Sequence, residues 1–167
     1  MAAATNHTVC IFPGTFDPIT TGHIDIVSRA CKVFDKVVVL LLINHNKKTM
    51  FSEEIRLAFA VKALAKFPQV TVTAFDGLLT EYCANVNCYN VVRGIRNGVD
   101  FEYEMQYFGI NRLLCPQIEM YFLPTARHNL YVSSGNVREL LRHNGDVSGF
   151  VAKDIMSDVL AAPKDGV

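Results

Sequence analysis

Three clusters of side chains in this sequence are of the kinds that handle phosphate. The first is the stretch Gly14-Thr15-Phe16-Asp17-Pro18-Ile19-Thr20-Thr21-Gly22-His23, set between an apolar run at residues 8–12 and a run at 24–30 with helical character. The apolar run reads as a buried strand and the second run as a helix. A loop that leaves a strand and delivers a histidine to a helix start lies against unpaired backbone N–H groups and the positive end of the helix dipole, a ready phosphate site. Gly14 and Gly22 let backbone approach an anion, and Thr15, Thr20 and Thr21 add hydroxyl donors. The loop has neither the Gly-Lys-Ser/Thr of a Walker A motif nor the dinucleotide spacing G-x-G-x-x-G.

The second cluster is cationic. Lys47-Lys48 reads by itself as a solvated loop, and Arg93-Gly94-Ile95-Arg96 offers planar guanidinium forks that grip phosphate. Asp100 and Glu104 follow at i, i+4 on one helix face, so Arg96 is open to a purely structural ion pair with either of them. The third cluster, Ser133-Ser134-Gly135, precedes another helix. Serine is a favoured N-cap, and a second helix N-terminus is also a cradle for a polyphosphate.

The elements that must position these groups alternate. Strand-like runs fall at residues 8–12, 36–43, 69–75, 90–92 and 118–123. Helix-like runs fall at 24–30, 52–67, 78–86, 99–114, 133–142 and 147–160. The run at 36–43 is continuously β-branched and leucine-rich, the mark of a strand covered on both faces, and Ser52 with Glu53-Glu54 reads as a helix start. This pattern predicts an α/β chain: a single-domain doubly wound Rossmann-like fold with a five-stranded parallel sheet, spanning 1–167 with loose ends at 1–7 and 161–167. Thr15 and His23 then follow strand one, Lys47 strand two, Arg93 and Arg96 strand four, and Ser133-Ser134 strand five. All fall on the carboxyl edge of the sheet, where such folds bind ligands.

Composition narrows the function classes. Sixteen basic and sixteen acidic residues cancel, which argues against a general nucleic-acid binder. The five cysteines are odd in number and include no C-x-x-C, which points to reduced thiols. Residues 1–7 have no signal-peptide pattern, and the run at 37–43 is too short to cross a bilayer, so a soluble, cytoplasmic protein without a membrane partner is expected. His7, His45, His128 and His143 form no metal-ligand spacing, so no protein-held metal is expected.

Gly14-Thr15-Phe16-Asp17-Pro18 with Thr20-x-Gly22-His23 resembles the T/H-x-G-H signature of the nucleotidylyltransferase superfamily. Lys47-Lys48-x-Met50-Phe51, Arg93-Gly94-x-Arg96, Asp100-Phe101-Glu102-Tyr103-Glu104 and Asn111-Arg112 extend that resemblance to the bacterial phosphopantetheine adenylyltransferases, from about residue 9 to about 159. The resemblance implies transfer of AMP from ATP to 4′-phosphopantetheine, giving dephospho-coenzyme A and pyrophosphate by direct in-line attack. It implies catalytic roles for His23, Lys47 and Arg93. ATP would be held by Thr15, Phe16, Gly22, His23, Arg93, Gly94, Arg96, Glu104, Ser133 and Ser134, and the acceptor by Thr15, Lys47, Leu79 and Arg93. Leu79 reads equally as core. Mg²⁺ bound mainly through the ATP phosphates, a homohexamer, and inhibition by coenzyme A complete the expectation. Two departures stand out: Gly135 where the family carries a third hydroxyl residue, and Arg127-His128-Asn129-Leu130 where it commonly carries an aromatic residue near the adenine.

Overall fold

In the computed structural model, which describes residues 8–164, the apolar runs form strands and the intervening stretches form helices. The order is β1 (Val9–Gly14), α1 (Thr21–Ala30), β2 (Lys36–Ile43), α2 (Glu53–Leu64), β3 (Val70–Asp76), α3 (Leu79–Val86), β4 (Asn90–Ile95), α4 (Gly98–Leu114), β5 (Glu119–Pro124), α5 (Ser134–Arg142) and α6 (Lys153–Ala161). A short 3-10 turn, Arg127–Asn129, precedes α5.

The five strands form one parallel sheet in the order β3-β2-β1-β4-β5. The chain therefore winds outward from β1 to β3, returns past β1 to β4 and winds outward again. The reversal leaves a crevice between the carboxyl ends of β1 and β4, the place where such sheets bind ligands. Among the described residues these two strands share one register pair, Ile11↔Val91, whereas β1 and β2 stay paired from Val9↔Lys36 to Gly14↔Leu41.

Both faces of the sheet are covered. Val37, Val39 and Leu41 of β2 pack with Ile26 and Val27 of α1, Phe59 and Ala60 of α2, and Ile155 and Val159 of α6. Leu40, with Ile11 and Val91, packs on the opposite face against Leu79 and Cys83 of α3. The alternation within one unbroken apolar run is what a strand buried on both sides requires. All five cysteines are free. Cys10, Cys83, Cys88 and Cys115 are buried, and burial pushes the Cys10 and Cys83 thiols up to about 12.

Several boundaries differ from the sequence reading. β1 runs on to Gly14, and α1 begins at Thr21, so His23 lies inside its first turn. β4 continues to Ile95 because Gly94 and Ile95 pair with Leu123 and Pro124, which places Arg93 on the strand and not after it. α2 stops at Leu64, ahead of Phe67, whose position before Pro68 disfavours helix. α6 begins at Lys153 and not at 147, because the Asp146 side chain accepts from the Ser148 N–H and Ser148 hydroxyl, a local turn that competes with helix. Ala161 belongs to α6 and not to a loose end, while 1–7 and 165–167 lie outside the described residues. No helix among the described residues is long and apolar enough to cross a membrane.

Candidate active site

The crevice at the switch point is a cavity of about 520 Å³. Its walls bring together Thr15, Phe16, Gly22 and His23 from the β1–α1 segment, Arg93, Gly94, Arg96 and Glu104 from the β4–α4 segment, and Ser133 and Ser134 from the start of α5. Asp17, Thr20, Tyr103 and Arg138 also line it.

His23 is held by its own helix. Thr20 is the N-cap of α1: its hydroxyl accepts from the His23 backbone N–H, and the His23 ring Nδ1 accepts from the Thr20 backbone N–H at 3.0 Å. A histidine thus fills the capping-box place usually taken by Glu or Gln. Because Nδ1 is the acceptor, the proton of the neutral ring sits on Nε2, and that N–H has no protein partner among the described residues. Phe12 and Phe16 pack against the ring, with centroids at 6.2 and 5.0 Å. Burial, and then the charges of Arg93 and Arg96, lower its pKa from 6.5 to about 4, so the ring is a neutral donor at physiological pH. Thr20 and Thr21 are not free donors as the sequence led one to expect: Thr20 serves the cap, and the Thr21 hydroxyl is spent on Asn129 and the Gly149 carbonyl.

Phe16 sits at φ 47°, the left-handed region, and its ring lies over Gly14. A Cβ at Gly14 would come within 2.8 Å of that ring, so only glycine admits this arrangement.

The arginines are paired in advance. Arg93 donates from Nε and Nη2 to the two Glu104 oxygens at 2.8 and 2.6 Å, and from Nη1 to the Pro13 carbonyl at 2.5 Å. It bridges the crevice where β1 and β4 have parted. Burial alone would lower its pKa, but the hydrogen-bonded Glu104 carboxylate more than offsets this and the net shift is upward. Arg96 donates from Nε and Nη2 to Asp100 at 2.7 and 3.1 Å, which resolves the alternatives open in the sequence in favour of Asp100.

Asp17 ties three elements together, a role the sequence reading missed. Its buried carboxylate accepts from the backbone N–H groups of Met50 (2.8 Å) and Phe51 (3.0 Å). Its carbonyl accepts from Arg138 on α5 at 2.7 Å, and the Ser134 hydroxyl donates to the neighbouring Pro18 carbonyl at 2.8 Å. Arg56 of α2, also buried, donates to the Thr15 and Phe51 carbonyls. Only an Asp-Pro dipeptide marked this junction in the sequence, and its partners are far along the chain.

Two expected residues stand apart from the cavity. Lys47 is exposed on the turn after β2, which the Asn44 side chain and carbonyl organise. Leu79 is buried with Cys83 and Val91 on the α3 face of the sheet. Ser133 caps α5 by accepting from the Asn136 N–H, and a Cβ at Gly135 would meet nothing closer than Ser133 Oγ at 3.7 Å. Each cavity-lining carboxylate is occupied: Asp17 by Met50, Phe51 and Arg138, Asp100 by Arg96, Glu104 by Arg93. No group of three or more metal-ligating side chains occurs among the described residues. Chemically, the site offers two helix N-termini, a neutral imidazole N–H and oriented guanidinium groups facing one space, the equipment for holding phosphates in line.

Comparison with known proteins gives concordant matches. The cytidylyltransferase-like family matches residues 11–140. The phosphopantetheine adenylyltransferase of Acidovorax sp. strain JS42 is 46% identical over 154 residues, covering 92% of this chain and 93% of that protein. That of Nautilia profundicola is 42% identical over 153 residues, covering 92% and 99%. Among solved structures, a putative nicotinate-nucleotide adenylyltransferase from Vibrio parahaemolyticus superposes with a TM-score of 0.66 at 20% identity, covering 92% of this chain and 91% of the other, a likeness of fold.

Proposed function

The chain belongs to the phosphopantetheine adenylyltransferases, within the cytidylyltransferase-like family, and from that membership we propose how its residues do the work. The activity is transfer of the adenylyl group of ATP to 4′-phosphopantetheine, giving dephospho-coenzyme A and pyrophosphate in coenzyme A biosynthesis. An oxygen of the acceptor phosphate attacks the α-phosphorus in line. The bond from that phosphorus to the bridging oxygen breaks, and its electron pair leaves with pyrophosphate. The acceptor phosphate is already an anion, so the step needs neither a general base nor a covalent intermediate; positioning and charge stabilisation carry it.

The observation that carries this reading is His23, neutral and fixed at the start of α1 with Nε2–H free on the cavity shared with Arg93 and the start of α5. His23 donates to the α-phosphate as charge develops there. Arg93 and Arg96 hold phosphate through the N–H groups their carboxylate partners leave free, and Ser133, Ser134 and the α5 N-terminus hold the β- and γ-phosphates. Thr15 and Lys47 hold the acceptor phosphate, and Leu79 lines the way of its pantetheine arm. The occupied carboxylates do not fit a resident metal ion, so Mg²⁺ enters as the ATP complex. In the same reading the enzyme is a cytoplasmic homohexamer, and coenzyme A, which carries the acceptor's own arm, inhibits by taking its place.

The test is product formation. Protein, ATP, Mg²⁺ and 4′-phosphopantetheine are incubated, pyrophosphate is quantified and the second product is weighed by mass spectrometry, with nicotinamide mononucleotide as the competing acceptor. Dephospho-coenzyme A arising from phosphopantetheine alone is the expected result. An adenylylated nicotinamide product, or no pyrophosphate despite ATP binding, would overturn it.

A further inference from the structure

Arg93 has a neighbour that the site as described does not use. The Tyr107 ring lies under its guanidinium, with 5.4 Å from Arg93 Cζ to the ring centroid. Tyr107 follows Glu104 at i, i+3 on α4, so one face of one helix supplies the carboxylate that grips the edge of the guanidinium and a ring that the same cation lies over. Arg93 lines the cavity, whereas Tyr107 packs against the core on the α3 face of the sheet. Burial raises the phenol pKa, so the ring is uncharged throughout the physiological range.

Of the five N–H donors of Arg93, two go to Glu104 and one to the Pro13 carbonyl, leaving one on each terminal nitrogen for a phosphate. Where that remaining pair points depends on the tilt of the guanidinium plane. Glu104 fixes the plane along one edge, and rotation about that edge is opposed by the Nη1 bond to the Pro13 carbonyl and by the attraction of the Tyr107 ring. A ring face attracts a guanidinium and resists that rotation.

We propose that Tyr107 is a positioning residue for adenylyl transfer: its ring, with Glu104 and the Pro13 carbonyl, holds the plane of Arg93 so that the two free N–H groups meet the phosphate in the transition state. This rests on the reading of Arg93 as a phosphate ligand, and no chemistry is assigned to the Tyr107 hydroxyl.

The test compares Tyr107→Phe and Tyr107→Leu, each also combined with Arg93→Lys, measuring kcat and both KM values. Tyr107→Phe keeps the ring and leaves kcat within about twofold. Tyr107→Leu lowers kcat by roughly 5- to 30-fold, the span of a partly desolvated cation–π contact, while both KM values move less than about twofold. In the Arg93→Lys background the same leucine substitution lowers kcat by less than about twofold, because an ammonium has no plane to orient. Wild-type kcat in Tyr107→Leu, or an equal loss in the lysine background, would overturn the proposal and leave Tyr107 a packing residue. Should the leucine variant fail to fold, Tyr107→Met, unbranched and ringless, is read by the same two outcomes. Wild-type kcat in Arg93→Lys alone would instead defeat the assignment of Arg93.

Discussion

At the scale of the residue, the donor role proposed for His23 depends on its protonation state. Its Nδ1 is committed to the Thr20 N–H, so protonation would break that bond and place a cation beside Arg93 and Arg96. Its folded pKa of about 4 lies below the ordinary 6.5. An unfolded chain therefore binds this proton first: above about pH 6.5 the group has no effect on stability, and between 6.5 and 4 it removes stability as pH falls. The ring C–H signals of His23 followed by NMR are expected to titrate near 4; a midpoint above 6 would refute the neutral-donor role. His23→Ala lowers kcat by on the order of 10²-fold, the scale for one lost oxyanion-type donor, while ATP affinity by calorimetry stays within a few-fold. Near wild-type turnover would remove His23 from the mechanism. The Thr-x-Gly-His spacing made this residue legible in the sequence, because cap, glycine and histidine lie within one turn of each other. The capping-box use of the ring was not legible, since a histidine rarely fills that place.

At the scale of the element, Asp17 ties together segments that lie far apart in the sequence. Its carboxylate holds Met50 and Phe51, just beyond the Lys47 turn, and its backbone is held by Arg138 of α5. Asp17→Asn leaves one buried N–H facing an amide NH₂, a loss of about 1–3 kcal/mol. The expected result is a melting temperature lower by several degrees with weaker binding of both substrates. A change confined to ATP would show that the two sides are not coupled through Asp17. Position 135 works in the opposite direction. Gly135 lies in the first turn of α5, and a serine side chain has room there. Gly135→Ser is expected to stabilise by about 0.5–1 kcal/mol, since glycine carries extra unfolded-state freedom, and to lower KM for ATP by restoring a hydroxyl. Unchanged KM would remove position 135 from triphosphate binding. Order and type of the elements followed from periodicity, and the common sheet edge followed from the order. What periodicity could not supply came from tertiary partners: β4 reaches Ile95 only because β5 pairs with it, and Asp17 finds Met50 only once α2 has docked.

At the scale of the whole molecule, α4 connects the active site to the outer surface. Its inward side carries Glu104, Tyr107 and Asn111, while Ile110, Leu113 and Leu114 on the same helix are left in solvent, Leu113 being 85% exposed. Val99, 76% exposed, lies on the cavity wall at the start of the helix, and Phe101 packs edge-on against Phe122 of β5. Apolar side chains gathered on one helix mark a surface made to be covered, and in the reading above other copies of the chain cover it. Light scattering is expected to give a particle of six times the 18.6 kDa chain. Ile110→Asp with Leu113→Asp puts charge where desolvation is required, so the particle falls to a smaller mass with an unchanged far-ultraviolet spectrum. If copies of the chain brace α4, whose Glu104 holds Arg93, the dissociated variant is expected to lose kcat before it loses ATP affinity. A wild-type protein that scatters as a single chain, or a dissociated variant with full kcat, would separate the outer face of α4 from the site it supports.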